Sequence, residues 1–182
     1  MRKLLIVAVV AAGLLYWFLH RPITEAQVAG FYATQVEAFG RGDQAALCAQ
    51  YAPEYKASER QVGPAGVQAL QSDKALACRT YDFLFEFKKK FDAKQTDGGI
   101  LATEFHLEPD DIQVAKDGKS ASVHLKIHLN FGGAFYADGV GTDHLVMRGG
   151  KLLSVASEME THVSGPLAVG IDPASLMTPS GR

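Results

Sequence analysis

Residues 117–131, with the sequence DGKSASVHLKIHLNF, decide the fold class of this chain of 182 residues. From Ala121 to Phe131, apolar residues alternate strictly with polar ones. Because successive side chains of a strand point to opposite faces of the sheet, this pattern predicts a strand with one buried face and one polar face. The Asp-Gly pair at the start is a strong two-residue hairpin signal, so we expect this strand to pair with residues 112–116.

The chain after this strand continues the sheet, whereas the part before it has helical spacing. Residues 143–147 and 152–163 are expected to form a further hairpin across the Arg-Gly-Gly-Lys turn at 148–151. Residues 25–39 carry apolar positions at intervals of three and four, which predicts an amphipathic helix, and residues 44–51 predict a short second helix. Helices followed by an antiparallel meander indicate an α+β fold with the helices on one face of the sheet.

A third and longest helix is predicted over residues 64–93. Pro64 suits a helix start, and the apolar positions after it keep helical spacing for many turns. Residues 81–92 also alternate as a strand would, so a strand remains the alternative there. We expect residues 53–63 to form a polar connection that leads into this helix.

An apolar run at residues 4–19 follows a basic start. Sixteen helical residues span roughly 24 Å, somewhat short of a hydrocarbon core of about 30 Å unless flanking residues help. The run predicts a single-pass inner-membrane anchor over residues 1–22, with the remaining chain in the periplasm. A cleaved secretory signal is the alternative, but Thr24 fits a helix capping box better than a cleavage site. Residues 23–163 would then be one domain and residues 164–182 a loosely structured tail.

Charge and cysteine content limit the partners. The formal charge of −2, with acidic and basic residues evenly mixed, provides no long-range field for nucleic acid, which is therefore not an expected partner. The chain has two cysteines, Cys48 and Cys78, and is predicted to be exported, so a disulfide between them is expected. Two separate buried thiols are the alternative. With one cysteine pair and no His–Cys spacing, neither a zinc site nor another cofactor is predicted.

Short segments in a fixed order and spacing carry a resemblance to a known fold family. They are residues 31–32, 39–43, 112–114, 117–119, 121–123 and 150–152. Over roughly residues 24–163 the chain resembles the nuclear transport factor 2-like (SnoaL-like) superfamily. The resemblance implies a cone-shaped α+β domain with three helices packed on a curved antiparallel sheet. The family includes isomerases, dehydratases, lipid carriers and secretion-machine subunits, so the resemblance implies a fold and not an activity.

Five of the six histidines lie in the β half, but their spacing disfavours a metal site. His124 and His128 share a strand face about 13 Å apart, too far to bind one ion unaided, and are expected on the outer surface of the sheet. Asp110, Asp111 and Asp143 are expected to be exposed turn residues. No catalytic residue is therefore predicted.

Two sets of residues are candidates for binding. The first set is apolar or aromatic: Phe31, Tyr32, Tyr51, Tyr81, Phe85, Phe131 and Met159. The simpler interpretation is that these residues form packed core. The alternative is that they line an apolar cavity. The second set lies on the polar strand face, where a partner could dock: Ser122, His124, Lys126, His128 and Asn130.

The membrane segment favours a non-enzymatic, inner-membrane-anchored periplasmic protein. Such a protein would bind a protein partner or a second copy of itself as an assembly subunit of a membrane complex, because tethering raises the effective concentration. A carrier for a lipid or small apolar ligand is the first alternative. A cavity enzyme of isomerase or dehydratase type is the second, which a buried aspartate with a displaced pKa would favour and a filled core would exclude.

Overall fold

The computed structural model describes residues 22–92, 103–166 and 168, in which the chain forms three helices and six strands. The helices are α1 (Glu25–Arg41), α2 (Gln44–Cys48) and α3 (Lys74–Asp92), and the strands are β1 (Tyr51–Gly63), β2 (Gly66–Asp73), β3 (Thr103–Val114), β4 (Ser120–Phe131), β5 (Phe135–Arg148) and β6 (Lys151–Ser164). Within these residues no helix has the length and apolar character needed to cross a membrane. The predicted anchor lies outside them, apart from Pro22.

Helix α1 begins and ends at residues that satisfy its free backbone groups. The Thr24 hydroxyl accepts a hydrogen bond from the Gln27 N–H, and the Gln27 side chain accepts one from the Thr24 N–H. The predicted capping box is therefore confirmed. At the other end Gly42 adopts φ 69°, a left-handed conformation that glycine reaches without steric cost, and its N–H bonds back to the helix.

The six strands form one curved sheet in the order β2-β1-β6-β5-β4-β3. All neighbours are antiparallel except β1 and β6, which are parallel. The prediction of a wholly antiparallel sheet was wrong at this one pairing. The reason is that β1 enters the sheet beside the last strand of the chain, an arrangement that no local turn signal announces.

Residues 51–73 form the β1–β2 hairpin, where a polar connection and the first turns of a long helix were predicted. Both predictions were wrong. The hairpin pairs Lys56 with Asp73 at one end and Gly63 with Gly66 at the other. Its strands carry polar residues on both faces, so no apolar alternation distinguishes them from a loop.

Helix α3 starts ten residues later than predicted, at Lys74 instead of Pro64. The Asp73 carboxylate accepts a hydrogen bond from the Leu76 N–H at 2.9 Å, as an N-terminal helix cap does. The helix continues to Asp92, which resolves residues 81–92 as helix and excludes the strand alternative.

Helix α2 ends at Cys48 and not at Tyr51, because the Gln50 carbonyl accepts the Ser154 N–H at 2.9 Å and draws the chain into β1. Cys48 forms a disulfide with Cys78 of α3, with the two Cα atoms 5.6 Å apart. The predicted disulfide is confirmed. It ties α3 to the segment that leads into β1.

The inner face of the sheet holds two apolar clusters under the helices. Val28, Phe31 and Tyr32 of α1 pack against the first half of β4 and the last part of β5. Phe39, Phe131 and other residues form the second cluster near the end of α1. Ala168 is buried in this second cluster, so the chain remains packed beyond β6, and the rest of the predicted tail lies outside the described residues.

Candidate functional site

A cavity of about 380 Å³, which we call the main cavity, lies between α3 and the inner face of the sheet. Leu76, Thr80 and Leu84 recur every four residues, so they form one face of α3 and line the cavity together. Ala77 of α3 and Ala137 of β5 also line it, and these short side chains leave open the space that larger ones would fill. Most of the remaining lining is apolar.

Three tyrosines line both the main cavity and a smaller neighbouring cavity of about 160 Å³, which we call the Asp143 cavity. The hydroxyls of Tyr51 and Tyr81 lie 2.8 Å apart and share a hydrogen bond. The ring of Tyr55 lies 4.3 Å from that of Tyr51, measured between centroids. Burial raises the pKa of all three phenols, so they are neutral hydrogen-bonding groups at physiological pH.

Asp143 lines the smaller cavity and is only 5% exposed. The Tyr32 hydroxyl donates to its Oδ2 at 2.9 Å, and the Ser154 hydroxyl donates to its Oδ1 at 2.5 Å. Burial raises the pKa of the Asp143 carboxyl, although both hydroxyl donors act in the opposite direction. A buried carboxyl with a raised pKa has the character of a group that can transfer protons near neutral pH.

The prediction that Asp143 is an exposed turn residue was therefore wrong. Asp110 and Asp111 are exposed as predicted, but they lie within β3 and not in a turn. The sequence suggested a strand starting at residue 143, but β5 starts at Phe135. Asp143 lies in the middle of this strand, on the inner side with Leu145. Gly139 and Gly141 weakened the strand signal before it, because glycine is disfavoured in strands.

Glu59 is a second carboxyl at the interior, on the wall of the main cavity. It lies on β1. Burial raises the pKa of the Glu59 carboxyl, although the Thr161 side chain on β6 acts in the opposite direction. Sequence reasoning missed this residue because it lies in the stretch predicted to be a loop, and its neighbours Ser58 and Arg60 are polar as well, so no alternation marked its inward position.

The structure separates the seven candidate pocket residues into two groups. Tyr51, Tyr81, Phe131 and Met159 line the main cavity. The other three lie in the packed interior: Phe31 and Tyr32 belong to the cluster under α1, and Phe85 packs with its ring centroid 5.4 Å from that of Phe39.

The five candidate docking residues lie on the outer face of β4. Lys126 forms an ion pair with Asp110 at 2.9 Å, and the same carboxylate lies 3.7 Å from His124. His128 lies 2.6 Å from the Asp138 carboxylate. Ser122 is 3.0 Å from a ring nitrogen of His144, and the Asn130 side chain accepts the Gly133 N–H. These side chains are largely paired with neighbours on the same sheet.

A shallow groove of about 480 Å³ crosses this outer face, with His106, His128 and His162 along it. The rings of His106 and His128 are stacked with centroids 6.1 Å apart. Over the part of the chain that the structure describes, no group of three or more histidine, cysteine or acidic side chains is arranged to hold a metal ion. The interior cavities are the better candidate site, because they bring buried carboxyl and tyrosine hydroxyl groups together.

No known protein family and no curated protein matches the chain in sequence. Solved structures do match in shape. A candidate scytalone dehydratase from Novosphingobium aromaticivorans has a TM-score of 0.51 at 10% identity, covering 76% of this chain and 85% of the other. A conserved protein from Planctomyces limnophilus also has a TM-score of 0.51, at 14% identity, covering 75% and 94%.

A nuclear transport factor 2-like protein of unknown function from Pseudomonas putida has a TM-score of 0.50 at 15% identity, covering 77% of this chain and 89% of the other. At such identities the likeness concerns the fold alone. The chain therefore has the nuclear transport factor 2-like fold: a curved sheet with helices on its inner face and cavities between them. The fold predicted from the sequence is confirmed to that extent.

Proposed function

We propose that the chain is a binding module for a small, largely apolar molecule that it holds in the main cavity. The observation that carries this proposal is the cavity itself, about 380 Å³ in volume and lined mostly by apolar side chains with a few polar groups. Small-molecule sites typically occupy about 300–1,000 Å³ and have this composition. A filled core would have excluded the proposal.

The size of the cavity sets the scale of affinity. A ligand that buries about 300 Å² of apolar surface gains about 7.5 kcal/mol at roughly 25 cal/mol per Å². Lost translational and rotational freedom offsets part of this gain. We therefore expect dissociation constants in the micromolar to millimolar range for simple ligands, and tighter binding for a ligand that also uses the polar groups.

Native mass spectrometry of the full chain, purified gently from its own cells, tests the proposal. A small extra mass on the protein is expected, and Ala77→Phe should abolish it by filling the main cavity. Ala75→Phe is the matched control, because Ala75 lies exposed on the same helix. If no mass is retained and calorimetry also detects no binding of 1-decanol, the proposal is overturned.

A cavity enzyme of isomerase or dehydratase type is a second candidate, favoured by the two interior carboxyls. Burial moves the pKa of both Asp143 and Glu59 toward the range in which a general acid or base works best. The test is deuterium incorporation into a small cyclic ketone in deuterium oxide. Catalysed exchange that Asp143→Asn or Glu59→Gln removes supports the enzyme; exchange no faster than in buffer argues for binding alone.

Membrane anchoring by residues 4–19, a periplasmic location and a protein partner or homodimer at the outer face remain proposals. The disulfide supports an oxidising compartment, because such bonds are rare in reducing cytosol. Two exposed valines, Val67 and Val140, support a contact surface on the outer face of the sheet. Cross-linking in intact cells, compared between wild type and Val140→Lys, tests the partner.

A further inference from the structure

We infer that the main cavity selects an apolar molecule that carries an ammonium group, an inference that rests on the binding function proposed above. Anionic lipids such as fatty acids would then be poor ligands. The inference follows from which charged and aromatic groups line the interior, and from where the nearest cations lie.

The ionisable groups along the two cavities are all acidic. They are the carboxyls of Glu59 and Asp143 and the phenols of the three tyrosines. None of the described side chains that line either cavity is a lysine, arginine or histidine. An anion in this space would have no cation to pair with and would lie near two carboxyls, which is unfavourable away from water. A cation would find a carboxylate partner.

Aromatic rings provide a second preference for a cation. Tyr51, Tyr55 and Tyr81 form a continuous set, with centroids 4.3 Å apart for the first pair and 6.3 Å apart for Tyr51 and Tyr81. Phe131 and Phe135 also line the main cavity, with ring centroids 6.4 Å apart. Ring faces carry partial negative charge and attract ammonium groups, and sets of rings recognise quaternary ammonium ligands.

Lys74 donates a hydrogen bond to the Tyr51 backbone carbonyl at 2.6 Å, so its ammonium group lies next to a residue of the cavity wall but is already paired. Other cations line an adjoining surface groove, where acidic residues balance them. Lys56 and Arg79 lie on this groove of about 500 Å³ together with Asp73 and Glu158. The hydrogen bond from the Leu76 N–H lowers the pKa of the Asp73 carboxyl, and both cations lower it further by electrostatic attraction. A ligand carboxylate at the groove would have to compete with Asp73, so the groove does not reverse the preference of the cavity.

The test compares three ten-carbon probes in calorimetric titrations of the full chain, each below its critical micelle concentration. Decyltrimethylammonium should bind at least tenfold more tightly than 1-decanol, and decanoate should bind at least tenfold more weakly. Glu59→Gln should reduce the preference for the ammonium over 1-decanol about tenfold. Glu37→Gln, at an exposed position on α1, is the control and should leave the preference unchanged.

The outcomes separate the two proposals. If 1-decanol binds but the ammonium has no advantage, or if decanoate binds as tightly as the ammonium, the charge preference is overturned while the binding function stands. If Glu59→Gln leaves the preference intact, the assignment of Glu59 as the cation partner is overturned. If none of the three probes binds, the binding function fails as well.

Discussion

Tyr32 of α1 donates a 2.9 Å hydrogen bond to Asp143 of β5, joining residues that lie 111 positions apart in sequence. Tyr32 is 1% exposed and Asp143 5% exposed, so both groups of this bond are removed from water. The bond fixes the first helix to the middle of the sheet at the edge of the Asp143 cavity. It also links the packing of the domain to the one buried aspartate among the described residues.

Tyr32→Phe should lower the free energy of unfolding by about 1–3 kcal/mol, the usual cost of leaving a buried hydrogen-bonding group without its partner. The ring packing survives this change, so the loss reports the hydroxyl alone. Urea denaturation monitored by circular dichroism measures it. Tyr136→Phe, on the outer side of β5, is the matched control, and an equal loss in both variants would show that the bond to Asp143 contributes nothing.

Asp143→Asn should change how stability depends on pH. Burial raises the pKa of Asp143 in the folded state, so the folded chain holds this proton more tightly than the unfolded chain. The contribution of Asp143 to stability is therefore complete below its ordinary pKa of about 4 and is lost as pH rises through the raised folded value.

The stability difference between wild type and Asp143→Asn should consequently move against wild type as pH rises from about 4 toward neutrality. Denaturant titrations at several pH values measure this difference. The raised pKa of Glu59 also makes stability fall as pH rises, and Glu59 remains in the variant. Asp143→Asn should therefore remove only part of the fall in stability with rising pH. A difference that is independent of pH would mean that the pKa of Asp143 is not raised.

Cys48→Ser should lower the thermal stability under oxidising conditions only. The disulfide closes a loop with a sequence separation of 30. Because it restricts the unfolded chain, it should raise the free energy of unfolding by about 3–4 kcal/mol. For a domain of this size that is a fall in Tm of roughly 10 °C. Calorimetric scans with and without a reductant measure it. Equal losses in both conditions would attribute the effect to packing and not to the bond.

How well each element could be predicted depended on whether its two faces differ in polarity. β4 has strict alternation and a strong turn before it, so the strand, its hairpin and the outward position of His124 follow from the residues alone. β1 and β2 have polar side chains on both faces, because one of those faces borders a cavity instead of a filled core. The polar residues on the cavity face prevented prediction of these strands from sequence, and the same residues form part of the wall of the candidate site.

The interior carboxyls could not be predicted because their burial depends on strands that sequence reasoning did not find. Glu59 points inward only once β1 is a strand, and Asp143 only once β5 extends back to Phe135. An aspartate after two glycines suggests an exposed turn from local signals. Long-range pairing of β5 with both β4 and β6 overrides these signals.

Gly141 of β5 lies directly against Met159 of β6, which lines the main cavity. A Cβ atom at this position would lie closer to the Glu158 carbonyl oxygen and to the Met159 sulfur than atoms can approach. The oxygen belongs to the backbone of β6 and cannot move without disturbing the strand pairing. Gly141→Ala should therefore destabilise the fold by about 1–3 kcal/mol, as overpacking does.

The matched control is Gly30→Ala on α1, where an added Cβ meets nothing within 4 Å. Alanine favours a helix interior over glycine, so this variant should gain about 0.5–1 kcal/mol. Urea denaturation of both variants gives the comparison. Because Met159 lines the main cavity, Gly141→Ala should also displace it and weaken binding of 1-decanol, which Gly30→Ala should leave unchanged. If both alanines stabilised the chain equally, β5 and β6 would have to lie farther apart at Gly141 than described.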